Sequence, residues 1–414
     1  MDTEVMARPL AIAIIGNHPP RRCGIATFTA DLADALTAVA PRCAVCVVAL
    51  DDSASGYPYP DRVAHTIAQH DPTSYRRAAH WLNARASDIV LLQHEYGIFG
   101  GVAGEYVLPL LRGLRAPIVT TCHTVLARPD PAQRRVLAAI GRLSARVIVM
   151  SERGATLLRE VYGVPGEKIA LIHHGIPDLP ASDTGPHKTA LGLAGRQILL
   201  TFGLLSPGKG LSAVLRALPP VVARHPEVLY LVHGATHPQV KAQQGESYRE
   251  HLHGLAHTLG IARQVRLMDR FATPEEVRTY LQAADIYLTP YPGREQITSG
   301  TLAYAVGAGK AVVSTPYPYA TELLAEGRGL LVPFDDDAAI TRALLALLDD
   351  TALRLATGHR AYRFGRGMTW PQVARRYLAC FAPLLGEGRH SRQYSCPPSG
   401  YIDTPRTVAG DSEF

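Results

Sequence analysis

The sequence predicts an α/β protein of two doubly wound domains that face each other across a cleft. Short apolar segments typical of buried strands alternate with amphipathic helical segments, and this alternation occurs twice along the 414 residues. A stretch rich in Pro, Gly, Ser and Asp, residues 175–195, separates the two series. Ligands of such sheets bind at the carboxyl ends of the strands, so the cleft is the expected site.

The first series contains six candidate strands with helical stretches between them. The strands are residues 10–16, 44–50, 88–95, 117–124, 146–152 and 168–175. The intervening stretches 27–40 and 130–144 carry the apolar spacing of amphipathic helices. Continuous apolar strands separated by helices indicate a parallel sheet that is covered on both faces.

The second series repeats this pattern and defines the domain organisation. Its candidate strands are residues 196–203, 227–234, 264–270, 284–291, 309–317 and 327–334. We therefore assign residues 1–180 to an N-terminal domain and residues 190–368 to a C-terminal domain. An amphipathic helix follows at 369–385, and the aperiodic tail 386–414 is expected to be disordered.

The composition excludes several classes of protein. The net charge of +6 is spread along the chain, so we expect no nucleic-acid partner. The six cysteines have no spacing typical of a disulfide or zinc framework, which indicates a reducing compartment and no bound metal. No signal peptide is evident, and no apolar run approaches the roughly 18 residues needed to cross a bilayer. We expect a cytoplasmic protein.

The loop after the first strand does not carry a dinucleotide fingerprint. Gly16 and Gly24 are eight positions apart, whereas a nicotinamide-binding loop needs the closer spacing Gly-x-Gly-x-x-Gly. Gly24 instead begins a helix, whose free N–H groups favour an anion or another acceptor.

Two histidines and a glutamate lie at the ends of two neighbouring candidate strands of the first series. His94 and Glu95 lie in "QHEYGIFGG", and His123 lies in "TCHT". A single histidine is more often structural than functional, but three such residues at one sheet edge favour a functional site. Their spacing is not that of a metal site.

The second series offers two positions suited to a phosphate. Lys209 lies between glycines in "SPGKGL", in a chain where only five of the 42 basic residues are lysines. Ser299, Gly300 and Thr301 lie at the start of a small-residue helix in "ITSGTLAYAVGAGK". Helix N-termini carry partial positive charge, and Lys209 adds a full one, so this domain is predicted to bind a pyrophosphate.

Several segments together resemble the retaining glycosyltransferases of family 4, and most closely their mannosyltransferase-like branch. The segments are "HPPRRCGIATFT", "LQHEYGIFGG", "TCHT", "IHHGIP", "FGLLSPGKG", "HGATHP" and "GREQITSGTLAYAVGAGKAVVST". The resemblance covers roughly residues 8–385. It implies the GT-B fold, in which two Rossmann-like domains face each other and the C-terminal helix crosses back to the N-terminal domain. It also implies a sugar nucleotide on the C-terminal domain, an acceptor on the N-terminal domain and no bound metal.

The resemblance assigns roles to individual residues. His123 matches the cleft histidine near the transferred sugar, and Lys209 matches the lysine that binds the diphosphate. Either Glu295 or Gln296 matches a glutamate that contacts the sugar hydroxyls. The other donor-side residues are Gly24, Gly203, Ser299, Gly300 and Thr301. The acceptor-side residues are His94, Glu95 and His174.

Two positions depart from the family pattern. Gly203 is followed by Leu204 where the family usually has an arginine, so one cation for the diphosphate is missing, and Arg270 or Arg294 would have to replace it. Tyr304 stands where a second glutamate normally binds the nucleotide ribose. Its hydroxyl can donate a hydrogen bond to a ribose, but it is a neutral and weaker partner.

The sequence therefore predicts a glycosyltransferase that moves a hexose from a nucleotide sugar to a glycan or a lipid-linked acceptor. The mannosyltransferase-like branch suggests mannose and a GDP-mannose donor, and a lipid-linked acceptor would bring peripheral membrane contact. Two alternatives stay open because of Leu204 and Tyr304. One is a glycosyl phosphorylase of the same fold, and the other is a sugar- or nucleotide-binding protein without catalytic activity.

Overall fold

The fold is described from a computed structural model, for residues 10–53 and 55–385. It contains two parallel sheets, each covered by helices on both faces, which confirms the predicted α/β class. The predicted disordered tail 386–414 lies outside the described residues.

The first sheet has seven strands in the order β3-β2-β1-β4-β5-β6-β7, the arrangement of a doubly wound fold. The strands are β1 (Ala11–Gly16), β2 (Ala44–Asp51), β3 (Val63–Ala68), β4 (Ile89–His94), β5 (Ile118–Cys122), β6 (Arg146–Val149) and β7 (Ile169–Leu171). Its helices are α1 (Gly24–Val39), α2 (Pro72–Ala84), α3 (Val107–Gly113), α4 (Pro131–Leu143) and α5 (Glu152–Glu160).

Strand β3 was not predicted from the sequence. It pairs with β2 at the edge of the sheet. Four of its six residues are polar or small, and the side chains of these four are half-buried or exposed. An edge strand has neighbours on one side only, so its sequence lacks the continuous apolar run that marked the central strands.

The second sheet has six strands in the order β10-β9-β8-β11-β12-β13, which repeats the topology of the first. The strands are β8 (Gln197–Phe202), β9 (Val228–His233), β10 (Val265–Met268), β11 (Ile286–Thr289), β12 (Ala311–Ser314) and β13 (Leu330–Leu331). Its helices are α7 (Leu211–Arg224), α8 (Pro238–Gln244), α9 (Ser247–Thr258), α10 (Pro274–Ala283), α11 (Gly300–Gly307), α12 (Pro318–Leu323), α13 (Asp337–Asp349) and α14 (Thr351–Gly365).

The stretch 175–195, predicted as a linker, contains a short helix, α6 (Thr184–Ala190). Asp183 caps this helix by accepting a hydrogen bond from the Gly185 N–H. Lys188 anchors it to the second sheet through a 2.7 Å ion pair with Asp285, and both side chains are buried. Part of the stretch that was predicted as a linker therefore forms a helix, and the aspartate Asp183 is the cap of that helix.

The last helix, α15 (Trp370–Phe381), packs on α1 of the first domain, as the GT-B fold requires. The Tyr377 and Thr121 hydroxyls are 2.8 Å apart, so this helix also contacts the first sheet at β5. Trp370 packs against Gly175, where a Cβ would lie 2.2 Å from the indole ring. Helix α15 thus ties the end of the second domain back to the first domain.

Candidate functional site

The candidate residues of both domains lie at the ends of strands or in the loops that follow them, and each sheet has a point where the strand order reverses. In the first sheet that point lies between β1 and β4, and in the second between β8 and β11. The loops that follow the two adjacent strands run to opposite faces of the sheet there, which opens a crevice at the carboxyl ends of the strands. The two domains contact each other near these loops, because a Cβ on Gly300, at the start of α11, would lie 2.7 Å from His174 Nε2.

In the first domain, His123 and His174 pack around the ring of Phe28. Their ring centroids lie 4.7 and 5.0 Å from the Phe28 centroid, both in edge-to-face geometry. Burial lowers the pKa of His123 to about 3, and the neighbouring His174 and His94 rings contribute to this shift. Burial likewise lowers the pKa of His174 to about 4. Both imidazoles are therefore neutral at physiological pH, able to orient a substrate but not to supply charge.

The imidazole of His123 has a buried hydrogen-bond partner. Its Nε2 lies 2.9 Å from the Oε1 of Gln93, the penultimate residue of β4. The backbone N–H of His123 donates to the His94 carbonyl at 3.0 Å, which fixes where the chain leaves β5. The predicted cleft histidine is thus held by side-chain and backbone contacts.

His94 and Glu95 have structural surroundings. The His94 ring is completely buried beside Tyr96 and Phe99, and burial lowers its pKa to about 4. The Glu95 carboxylate accepts hydrogen bonds from the Thr124 hydroxyl at 2.5 Å and from the Tyr96 N–H at 2.9 Å. Burial raises the pKa of Glu95, although these bonds oppose the shift. Both residues shape the loop, and acceptor contacts by either stay a prediction.

In the second domain, Lys209 belongs to a chain of polar side chains. Its Nζ donates to the Tyr291 hydroxyl at 2.9 Å and lies 4.6 Å from the centroid of that ring. The Tyr291 hydroxyl lies 2.8 Å from the Thr301 hydroxyl, which is 3.3 Å from that of Ser299. Burial raises the pKa of Tyr291, but the charge and hydrogen bond of Lys209 outweigh it, and the net shift is downward.

Glycine makes this arrangement sterically possible. Gly210 has φ +67°, and a Cβ there would lie 1.9 Å from the carbonyl oxygen of Pro290, so only a glycine lets the lysine loop pack on the end of β11. A Cβ on Gly203 would lie 3.6 Å from Lys209 Nζ, which places the predicted Gly203 beside the ammonium group. Within residues 10–53 and 55–385, no carboxylate oxygen lies within 4.0 Å of Lys209 Nζ.

The predicted helix N-termini are present in both domains. Ser299 caps α11 by accepting a hydrogen bond from the Leu302 N–H at 3.3 Å, and Gly300 and Thr301 form its first turn. Gly24 begins α1, where the Cys23 sulfur accepts from the Ala26 N–H, and no atom would crowd a Cβ on Gly24. The space around Gly24 at the start of α1 is therefore open.

Four other predicted donor-side residues already have partners. Arg270 is paired with Glu276, and Arg294 is paired with Asp335 at 3.0 Å. Neither cation is therefore free to replace the missing diphosphate arginine without giving up its carboxylate. Gln296 donates to the Thr298 carbonyl at 2.9 Å within its own loop. Glu295 accepts from Arg128 of the first domain at 2.8 Å, so it bridges the two domains.

Tyr304 has a different partner from the one expected of it. Its hydroxyl donates to the Asp31 carboxylate of α1 at 3.0 Å, across the domain boundary. Burial raises the pKa of Asp31 to about 6. The ribose contact predicted for Tyr304 stays a prediction, and this hydrogen bond would have to open for it to form.

Sequence reasoning missed several residues of the site, namely Asp31, Gln93, Arg128 and Tyr291. Asp31 carried a detectable signal, because an acidic residue there interrupts the apolar face of a predicted helix. Tyr291 ends the strand that precedes the small-residue helix, a position at which ligands of such sheets bind. Gln93 and Arg128 carried no signal beyond their nearness to His94 and His123.

Within the described ranges, no group of three or more His, Cys, Asp and Glu side chains could hold a metal ion. No helix in that part of the chain is both long and apolar enough to span a bilayer.

Models of two glycosyltransferase domains match the chain. Residues 23–178 match "Glycosyltransferase Family 4", and residues 196–350 match "Glycosyl transferases group 1". The matches span 156 and 155 of the 414 residues, which is three quarters of the chain.

Individual relatives agree with these models. The phosphatidyl-myo-inositol mannosyltransferase of Mycolicibacterium smegmatis is 25% identical over 344 residues, 80% of each chain. Among solved structures, sucrose-phosphate synthase of Thermosynechococcus elongatus superposes with a TM-score of 0.74 at 18% identity, over 91% of this chain and 99% of that one. Anabaena HepE in complex with UDP and glucose gives 0.72 at 17% identity, over 90% and 100%. These likenesses show the GT-B fold.

Proposed function

The chain belongs to glycosyltransferase family 4, and on this premise we propose that it transfers mannose from GDP-mannose to a hydroxyl of a glycan or lipid-linked acceptor. The transfer retains the anomeric configuration and uses no bound metal. The donor binds to the second domain and the acceptor to the first. A mannosyltransferase among the relatives supports the choice of hexose, and a neighbour that binds UDP and glucose supports a nucleotide-sugar donor.

The observation that carries this proposal is the environment of Lys209. The Lys209 ammonium group, which has no carboxylate partner among the described residues, lies beside the Tyr291 hydroxyl, and the Thr301 and Ser299 hydroxyls at the N-terminus of α11 continue this chain of contacts. This set of groups suits a diphosphate, because hydroxyls and the N–H groups of a helix N-terminus can donate hydrogen bonds to phosphate oxygens while the lysine supplies full charge.

The proposed mechanism requires little covalent chemistry from the protein. When the glycosidic bond breaks, negative charge gathers on the leaving nucleoside diphosphate. Lys209 and the α11 N-terminus stabilise that charge more in the transition state than in the ground state. The departing phosphate takes the proton of the acceptor hydroxyl on the same face of the sugar, which gives retention.

In this mechanism His123 orients the transferred sugar. A neutral imidazole can exchange hydrogen bonds with sugar hydroxyls, and it does not repel the positive charge that develops at the anomeric carbon. Glu295 or Gln296 contacts further hydroxyls of the same sugar. Because Glu295 is also the partner of Arg128, the donor sugar would compete with an ion pair between exposed side chains, which costs little to open.

A glycosyl phosphorylase is the second candidate, and one observation favours it. The Tyr304 hydroxyl, which was expected to bind the ribose, is engaged with Asp31, so the ribose loses one polar partner in this conformation. Inorganic phosphate would then occupy the Lys209 site in place of the nucleotide diphosphate.

A thermal-shift screen of GDP-mannose, GDP, UDP-glucose and inorganic phosphate tests the donor assignment. GDP-mannose at about 100 times its Kd should raise stability by roughly 2.7 kcal/mol, whereas the UDP sugar should not. Incubation with GDP-mannose and candidate acceptors, with and without EDTA, should then give an α-configured product by NMR. Release of sugar 1-phosphate from a disaccharide and phosphate would establish the phosphorylase instead. Binding without turnover or hydrolysis would indicate the inactive protein.

A further inference from the structure

Gln93 occupies a position that stability alone does not explain. Its side chain is completely buried, and its Oε1 lies 2.9 Å from His123 Nε2. Its amide nitrogen has no hydrogen-bond partner in the described part of the chain. An unpaired buried donor costs about 1–3 kcal/mol, whereas an apolar side chain of the same shape would cost nothing of this kind.

The neighbouring strand holds the Gln93 side chain in place. A Cβ on Gly16, at the end of β1, would lie 2.9 Å from Gln93 Cβ and 3.1 Å from its Cγ. The missing side chain of Gly16 therefore creates the space that Gln93 fills, at the point where the strand order of the first sheet reverses. A tightly packed amide keeps a fixed direction for its oxygen.

We propose that Gln93 is a positioning residue that holds His123 in the tautomer with hydrogen on Nε2, so that Nδ1 accepts a hydrogen bond from a hydroxyl of the donor sugar. The carbonyl oxygen of Gln93 accepts the Nε2 hydrogen, and a neutral imidazole then has its lone pair on the other nitrogen. The use of Nδ1 by a sugar rests on the proposed function, whereas the tautomer does not.

A glutamine at position 93 holds His123 in the neutral tautomer better than a glutamate would. A carboxylate at the same distance would favour the imidazolium, which has no lone pair for a sugar hydroxyl and would repel developing positive charge. The other groups around His123 do not stabilise its charged form, since His94 and His174 are neutral and α1 contributes the Phe28 ring. The amide thus orients the ring without charging it.

NMR of the full chain labelled with [15N]histidine tests the tautomer directly. Long-range 1H–15N correlations distinguish the two neutral tautomers and the imidazolium, and comparison with His123→Asn identifies the signals of His123. The wild type should show the Nε2–H form at neutral pH. An Nδ1–H form would overturn the proposal, because it would mean that the Gln93 amide presents its nitrogen to the ring.

Three variants complete the test. Gln93→Met should abolish the tautomer preference and lower kcat on the order of 10- to 100-fold, with the KM for GDP-mannose changed by less than about threefold. Gln93→Glu should raise the pKa of His123, so that activity increases with pH as the imidazolium deprotonates. The control Thr120→Val breaks a buried 2.8 Å contact with Ser144 and should change neither the His123 signals nor their pH dependence.

The outcomes separate this proposal from the proposed function. If Gln93→Met keeps the wild-type tautomer and kcat, Gln93 is only a packing residue. If the NMR result holds but no sugar is transferred from any nucleotide donor, the proposed function fails while the tautomer assignment stands. If transfer occurs and the wild type shows the Nδ1–H form, the tautomer assignment fails while the proposed function stands.

Discussion

At the scale of single residues, the five lysines divide clearly by partner. Lys188 and Lys241 pair with carboxylates, and Lys168 and Lys310 donate to backbone carbonyls. Lys209 instead donates to a tyrosine hydroxyl and lies over its ring. The rarity of lysine in an arginine-rich chain therefore located a charge whose surroundings suit an anion, and an ammonium group is a compact point charge with rotatable donors.

Replacing Lys209 tests its role in charge stabilisation. Lys209→Met keeps the length of the side chain and removes the charge, so kcat for transfer from GDP-mannose should fall on the order of 100- to 1,000-fold. The matched control is Lys241→Met, which removes a lysine paired with Glu246 at the surface of the same domain. Steady-state kinetics of both variants check the prediction. A near-normal kcat for Lys209→Met would exclude a role for this lysine in the transition state.

Residue-level prediction from the sequence has a clear physical limit. His123 could be found because it directly follows a strand, and Lys209 because it lies between two glycines in the loop before a helix, and both signals are local in the sequence. The hydrogen bond between Asp31 and Tyr304 joins residues 273 positions apart in different domains. Nothing local to either residue specifies that contact, since it depends on how the two domains pack.

At the scale of elements, close packing explains the small residues of α11, independently of the phosphate that is predicted to bind at its N-terminus. A Cβ on Gly307 would lie 2.0 Å from Ile176 Cδ1, and a Cβ on Gly365 of α14 would lie 2.8 Å from the Gly307 Cα. Helix α11 therefore packs closely against the segment that follows β7 and against α14. The sequence predicted this helix as a short small-residue helix before a buried strand, but its packing partners come from elsewhere in the chain.

The substitution Gly307→Ala tests this close packing. Overpacking in a buried contact should destabilise the protein by about 1–3 kcal/mol, measured by thermal or urea unfolding. Adding Ile176→Val removes the Cδ1 atom nearest to the new methyl group, so the double variant should recover part of the loss. As a control, Gly254→Ala in α9 meets no atom within 4 Å and should stabilise by about 0.5–1 kcal/mol. Equal effects of the two alanines would contradict the packing argument.

At the scale of the whole molecule, carboxylates make three of the polar contacts between the domains. Glu295 pairs with Arg128, and Asp31 accepts from Tyr304. The Glu322 carboxylate accepts from the Glu152 and Arg153 N–H groups at 2.8 and 2.9 Å, which caps the N-terminus of α5 from the opposite domain. Burial raises the pKa of the Asp31 carboxyl group to about 6, so this contact makes the domain interface sensitive to pH.

The sign of this sensitivity follows from proton linkage. An unfolded Asp31 ionises with an ordinary pKa of 3.8, whereas the folded protein keeps the proton until about pH 6 because burial disfavours the carboxylate. Between these values the folded state binds more protons, so its stability falls as pH rises, and the penalty is complete above about pH 6. This penalty lowers the free energy of unfolding by roughly 3 kcal/mol at most.

Asp31→Asn should therefore remove this penalty, because an amide keeps an acceptor for the Tyr304 hydroxyl and cannot ionise. The variant should be more stable than the wild type above about pH 6, and the difference should shrink toward pH 4. Unfolding by urea across this range measures it. Asp34→Asn is the matched control, since Asp34 lies on the same helix with a largely exposed side chain paired with Arg62. A stability difference between Asp31→Asn and wild type that grows as pH falls would reverse the predicted sign and rule out a buried, protonated Asp31 at the domain interface.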